Sequence, residues 1–186
     1  MQEFEFYELF DKLIKREGAE ALKEWLQKSD FAKAPASTKY HGSYPGGLLE
    51  HSLNVYYRLE KLVKTCWPED VSPYPTEETL AIVALLHDLC KVNFYAVEMR
   101  NRKNEHGQWE QYPFYIVDDK LPYGHGEKSV YIISGFMKLS REEAFAIRFH
   151  MGDYSDQNTN KAFQMFPLAL LLHQADEQAS NFEETV

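Results

Sequence analysis

The run LAIVALLHDLC, residues 80–90, is apolar on every side of a helix except at His87 and Asp88. Thr76 is a candidate N-cap for it. Glu77 and Glu78 follow in the first turn, where the helix dipole favours acids. The helix is expected to run through Leu80, Val83, Ala84 and Leu86 to the His-Asp pair. Adjacent helical side chains diverge by ~100°, so a common partner of the two must sit at one edge of the helix. An ionised carboxylate in such apolar company is very costly unless something pairs with it. Imidazole and carboxylate together suit divalent metals such as zinc, manganese, iron or nickel, with no cysteine required.

Most of the remaining chain has helical period. Phe6, Leu9, Phe10, Leu13 and Ile14 form one apolar stripe, and Ala21, Leu22, Trp25 and Leu26 another, with Gly18 between them. Residues 30–45 read as loop. After Gly46-Gly47 a strong helix presents Leu48, Leu49, Ser52, Val55, Tyr56, Leu59, Leu62 and Val63 on one face. Pro68, Pro73 and Pro75 mark the next connection. The period then changes: 94–102 and 109–117 carry aromatic and β-branched residues around KNEHG, predicting a β-hairpin. Ser140 and Glu143 form a capping box for a helix reaching His150, and Pro167 opens the last helix, PLALLLHQADEQAS. The expectation is an all-α bundle with a small inserted β-hairpin at about 94–117, in one domain over residues 1–186.

The chain carries a net charge of −9. That argues against long nucleic acid as the main partner, which needs many Lys and Arg on phosphates. A small phosphorylated substrate is compatible, because a bound metal supplies local positive charge. Cys66 and Cys90 cannot form a disulfide scaffold, and Cys90 is expected to pack. MQEFEFYELF lacks the basic start and apolar run of a signal peptide, and no segment approaches the ~20 apolar residues of a membrane span. A cytoplasmic location, with no membrane partner, is expected.

Six residues are candidate metal ligands: His51, His87, Asp88, His125, His150 and Asp176. His51 shares the apolar face of its helix with Leu48 and Val55. Alone it would read as a buried histidine with a hydrogen-bond partner, and the other five shift the balance. His125 lies between two glycines at a helix start, where a plain turn histidine is the alternative. His150 sits near a helix C-terminus, where a cationic side chain suits the dipole. Asp176 follows Leu170, Leu171 and Leu172 and needs a partner. His173, one turn earlier, is either a group orienting Asp176 or a satisfied core histidine. His106, in the hairpin turn, is expected to be solvated.

The order H…HD…H…H…D resembles the HD-domain superfamily of metal-dependent phosphohydrolases. GGLLEHSLNV is similar to the helix carrying that family's first histidine, ALLHDLCKV to its signature helix, and LLLHQADEQAS to the helix of its final aspartate. The resemblance covers roughly residues 41–180. It implies a single-metal core of His51, His87, Asp88 and Asp176. His125 and His150 resemble the subgroup that holds two divalent ions (Mn, Fe, Ni, Zn or Mg), bridged by Asp88. GGLLEH and LLHDLCK are especially similar to the HD domains of bacterial 3′-5′ exoribonucleases. The OB domain found with those has no counterpart in this sequence, and the hairpin departs from the minimal helical core. Both differences point away from long RNA.

The resemblance implies hydrolysis of a nucleotide or other small phosphoester by metal-activated water, without a protein nucleophile. Asp88 and Lys91 are the catalytic candidates. Lys91, one turn after His87, is the leading phosphate contact, with Lys128 and Arg148 as weaker ones; a solvated lysine is the alternative. Tyr95, Arg100, Arg102, Lys103, Trp109 and Tyr112 on the hairpin are either a cover that stacks on a base and holds a phosphate, or an ordinary exposed face. The same ligand set also occurs in HD-fold di-iron oxygenases that cleave C–C or C–P bonds. A non-catalytic nucleotide sensor using the metal site as a pocket is the third reading.

Overall fold

The computed structural model describes residues 1–71, 73–153 and 155–184. Among these, eight α-helices and one two-stranded sheet occur in the order α1 (Gln2–Leu13), α2 (Ala19–Lys28), α3 (Gly47–Cys66), α4 (Glu77–Leu86), a 3₁₀ turn (Leu89–Lys91), β1 (Tyr95–Lys103), β2 (Trp109–Val117), α5 (His125–Ser134), α6 (Arg141–Phe149), α7 (Gln157–Met165) and α8 (Pro167–Phe182). The architecture is a helical bundle with one inserted hairpin, as the sequence predicts. Among the described residues no helix is long and apolar enough to cross a membrane.

α4 is the axis of the bundle. Every residue from Leu80 to Leu86 is buried, which is why the stretch tolerates no polar side chain on any face. α3 lies against both α4 and α8 and buries the stripe from Leu48 to Val63. Phe6 and Phe10 of α1, with Leu22 and Leu26 of α2, close the core at the far end. Gly18 separates these two helices at φ 90°, and a Cβ there would meet the Phe136 carbonyl oxygen at 1.9 Å. Only glycine permits that approach.

The caps form where the sequence places them. Thr76 Oγ1 accepts the Thr79 N–H at 3.1 Å, and Ser140 with Glu143 makes the reciprocal box at 3.2 and 2.7 Å. Glu143 is fully buried and also receives Arg16 at 2.6 Å and Thr79 at 3.0 Å, so one carboxylate ties the α1–α2 connection, α4 and α6 together. β1 and β2 pair antiparallel from Tyr95↔Val117 to Lys103↔Trp109. Asn104 Oδ1 accepts the N–H groups of His106 and Gln108 in the turn, where His106 is exposed as expected.

Two elements differ from expectation. α7 has too little apolar pattern to be read from sequence: its buried residues are Thr159 and Ala162, and the Asp156 cap on Asn158 N–H starts it. α4 stops at Leu86 instead of continuing through the His-Asp pair. His87 is its C-cap, and Asp88 leaves the helix at φ −105°, ψ 21°. That change of direction lets adjacent side chains converge, which a regular helix forbids.

Candidate metal centre

His87 and His150 occupy the same local position. Each is the C-cap of its helix, α4 and α6, and each Nδ1 donates to the carbonyl three residues back: Ala84 at 2.8 Å and Ile147 at 2.7 Å. A carbonyl oxygen only accepts, so Nδ1 carries the proton and Nε2 keeps its lone pair. Both Nε2 atoms turn inward. His51, from α3, is fixed in the same sense by Glu184, whose carboxylate oxygens lie 3.0 and 3.1 Å from Nδ1. Asn54 Nδ2 donates to that carboxylate at 3.0 Å.

The inward atoms meet. His51 Nε2 is 3.2 Å from His87 Nε2, 3.1 Å from Asp176 Oδ1 and 3.6 Å from Asp88 Oδ2. Asp88 divides its two oxygens. Oδ2 faces His51, His87 at 3.5 Å and Lys91 at 2.6 Å, whereas Oδ1 faces His125 at 2.9 Å and His150 at 3.4 Å. All six residues singled out in the sequence therefore reach one place from α3, the α4–3₁₀ junction, α5, α6 and α8. His125 gets there because Gly126 lets α5 pack tightly on α6: a Cβ would lie 2.2 Å from the Arg148 carbonyl oxygen.

The electrostatics are those of a charged cluster enclosed by protein. Burial opposes charge on His51, but the carboxylates of Asp176 and Glu184, accepting its ring N–H groups, outweigh it and push the imidazole up to about 10. His87 goes the other way. Burial, reinforced by repulsion from His150 and His51, overcomes the attraction of Asp88 and brings it down to about 3. Burial would raise the Asp88 carboxyl, yet Lys91, His87 and His125 hold it well below the usual carboxylate range. Asp176 is depressed for the same reason, with His51 as its main partner.

The donor set fits a divalent cation. His150 Nε2 is buried and has no hydrogen-bond partner, which is costly for a polar atom unless a ligand takes its lone pair. Ligand atoms of His51, His87 and Asp88 lie within 4.8 Å of one another, as do those of His87, His150 and Asp176. Nitrogen and carboxylate oxygen in this mixture suit zinc and first-row transition metals. A cavity of about 560 Å³ opens on the cluster, lined by His41, Lys91, Tyr95, His125, Met151 and Asp176, among others.

Two expectations need correction. Lys128 is buried, paired with Asp119 and set over the Phe94 ring at 4.6 Å, so it braces the hairpin root and does not line that cavity. Arg148 pairs with Glu127 at 2.6 Å and lies over Phe149, beside a different cavity. Their position on α5 and α6 turns both away from the cluster. Of the two readings of His173 the satisfied buried histidine fits, its Nδ1 donating to the His150 carbonyl at 2.8 Å. Lys91 does line the cavity, but it is buried and ion-paired with Asp88, whose charge raises its pKa against the effect of burial.

Two residues escape the sequence reading. Glu184 lies two residues beyond the end of α8 at Phe182, where helical spacing gives no signal. His41 sits in an aperiodic loop that offers no such signal. Its ring is 5.0 Å from that of His51, and its Nε2 is buried without a partner. Cys90 packs as expected, buried, with Sγ 3.4 Å from His125 Nδ1.

The helical bundle thus encloses a histidine–aspartate cluster whose donors are compatible with a metal site. The family model for the HD domain matches residues 48–179, well over half of the chain, and the chain belongs to that family. HD proteins are metal-dependent and commonly phosphohydrolases. No curated protein and no solved structure matches the chain.

Proposed function

We propose that the protein is a metal-dependent phosphohydrolase acting on a nucleotide or other small phosphoester. The observation that carries the reading is the divided carboxylate of Asp88, with one oxygen toward His51 and His87 and the other toward His125 and His150. In this reading His51, His87, Asp88 and Asp176 would hold one divalent ion, and Asp88, His125 and His150 a second. When bound, such ions would supply a hydroxide near neutral pH and neutralise charge on phosphoryl oxygens. The protein's own contribution is positioning. Nδ1 hydrogen bonds hold three imidazoles in the ligating tautomer. Lys91 keeps Asp88 ionised and presents the nearest side-chain cation on the cavity wall, the place of a substrate phosphate. Burial of His51, His87, Asp88 and His150 strengthens the charge interactions among them.

The test is metal analysis followed by a phosphoester panel with Mn, Fe, Zn, Ni or Mg supplied. About two ions per chain and turnover of at least one phosphoester are expected. Asp88→Ala removes both. Full metal content in that variant would rule out a shared carboxylate.

A further inference from the structure

Cys90 stands two residues after Asp88, on the 3₁₀ turn that follows α4. It is 3 % exposed, as an apolar side chain would be, yet its sulfur meets polar atoms. Sγ lies 3.4 Å from His125 Nδ1, 3.6 Å from His125 Nε2 and 3.8 Å from Asp88 Oδ1. The backbone fixes it there. The Cys90 N–H donates to Ser129 Oγ at 3.0 Å, and Ser129 is fully buried on α5, one turn after His125. Turn and helix are thus tied together where sulfur and imidazole meet.

Ligand atoms of Asp88, Cys90 and His125 all lie within 4.8 Å of one another. His125 Nε2 and Asp88 Oδ1 are 2.9 Å apart, and Sγ is 3.6 and 3.8 Å from them. A tetrahedral ion with nitrogen and oxygen at about 2.1 Å and sulfur at about 2.3 Å sets its light donors about 3.4 Å apart and its sulfur about 3.6 Å from each. The two sulfur edges already have nearly that length. The shorter nitrogen–oxygen edge is that of the hydrogen bond an ion would replace. A fourth donor faces the same oxygen. His150 Nε2 is 3.4 Å from Asp88 Oδ1, is buried, and has no hydrogen-bond partner among the described residues. The donors on the other side, His51, His87, Asp176 and Asp88 Oδ2, offer nitrogen and oxygen only.

We propose that Cys90 is a sulfur ligand of the ion beside His125 and His150, in a set of one carboxylate oxygen, two imidazole nitrogens and one sulfur. The inference rests on the two-ion phosphohydrolase reading and gives its second position a metal class. That position takes a thiophilic ion such as zinc, cobalt or iron in preference to magnesium or manganese. The ion takes the place of the thiol proton, which passes to solvent. The two positions of the centre are then unequal, because soft sulfur stands at only one of them.

Cobalt(II) is the probe, because sulfur ligation gives it an intense charge-transfer absorption in the near ultraviolet that nitrogen and oxygen ligands do not give. The full chain has two cysteines, and Cys66 is exposed at the end of α3. Cys66→Ser therefore leaves Cys90 as the only thiol without touching the centre. Saturated with cobalt, wild type and Cys66→Ser are both expected to hold about two ions per chain and to show the absorption. Cys90→Ser is expected to lose it entirely while keeping the ion at His51, His87 and Asp176. Excess zinc is expected to displace the absorption, and excess magnesium or manganese to leave it. Cobalt-saturated Cys66→Ser without the absorption would overturn sulfur ligation and leave Cys90 a hydrogen-bond partner of His125. An absorption kept by Cys90→Ser would do the same, and displacement by manganese would overturn the metal class. If Cys90→Ser does not fold, Cys66→Ser decides alone, since its one thiol is the only source of the signal. Turnover of a phosphoester by a chain that lacks the absorption removes the sulfur ligand and leaves the phosphohydrolase reading. The absorption with no turnover on the panel does the reverse.

Discussion

Glu184→Ala is the most searching perturbation of the centre, because it alters no candidate ligand. The carboxylate is buried, accepts from His51 Nδ1 at 3.0 Å and receives Asn54 Nδ2 at 3.0 Å. Alanine leaves both donors without an acceptor, at about 1–3 kcal/mol each in folding stability. It also frees the His51 ring to rotate. Loss of a carboxylate that orients a metal-bound histidine typically weakens metal affinity about 10–100-fold, or about 1.4–2.7 kcal/mol. Glu184→Gln retains an acceptor oxygen for Nδ1–H and is expected to recover most of that affinity, which a purely structural role would not require. Competition for Zn²⁺ with a chromophoric chelator measures it directly. If Glu184→Ala binds as tightly as wild type while His87→Ala binds nothing, the Nδ1 hydrogen bond is not what prepares His51.

Gly126→Ala places a methyl 2.2 Å from the Arg148 carbonyl oxygen and must push α5 off α6. We expect a destabilisation of about 1–3 kcal/mol by thermal unfolding and the loss of one bound ion, since His125 moves with the helix. Glu143 is held below its ordinary value because Arg16, the Ser140 N–H and Thr79 outweigh burial. Its folded pKa is thus lower than its unfolded one, so its contribution is present above about pH 4.5 and is lost as pH falls through the folded value. Melting curves between about pH 6 and 3 are expected to fall more steeply for wild type than for Glu143→Gln, which starts lower; parallel curves would refute this. Metal at about 100 times Kd is expected to add about 2.7 kcal/mol, a rise of roughly 5–10 °C in Tm. A chelator that leaves Tm unchanged would count against a metal centre.

Much of the fold was legible because helices are local. The 3.6-residue stripe of α3, the all-apolar α4 and the capping box at Ser140 are decided by residues within a turn or two of one another. The hairpin was legible for the same reason, from its change of period and Gly107 in the turn. The six cluster residues could be named because a histidine or aspartate in an apolar run needs a partner. α7 was invisible because its buried face is too small to make a pattern. Lys128 and Arg148 were misplaced because nearness along the chain to His125 and His150 does not say which side of a helix faces the cluster.

From its sequence alone this chain had to be a helical bundle whose central helix carries a buried His-Asp pair, since burial of that stretch and desolvation of that carboxylate are costs set by side-chain chemistry. Only the tertiary structure decided that Asp88 would divide its oxygens between two groups of histidines. It alone brought Glu184 to His51 and set His41 beside it. The last two join residues 10 and 133 positions apart in the chain, to be read off only once packing has chosen which helix faces meet.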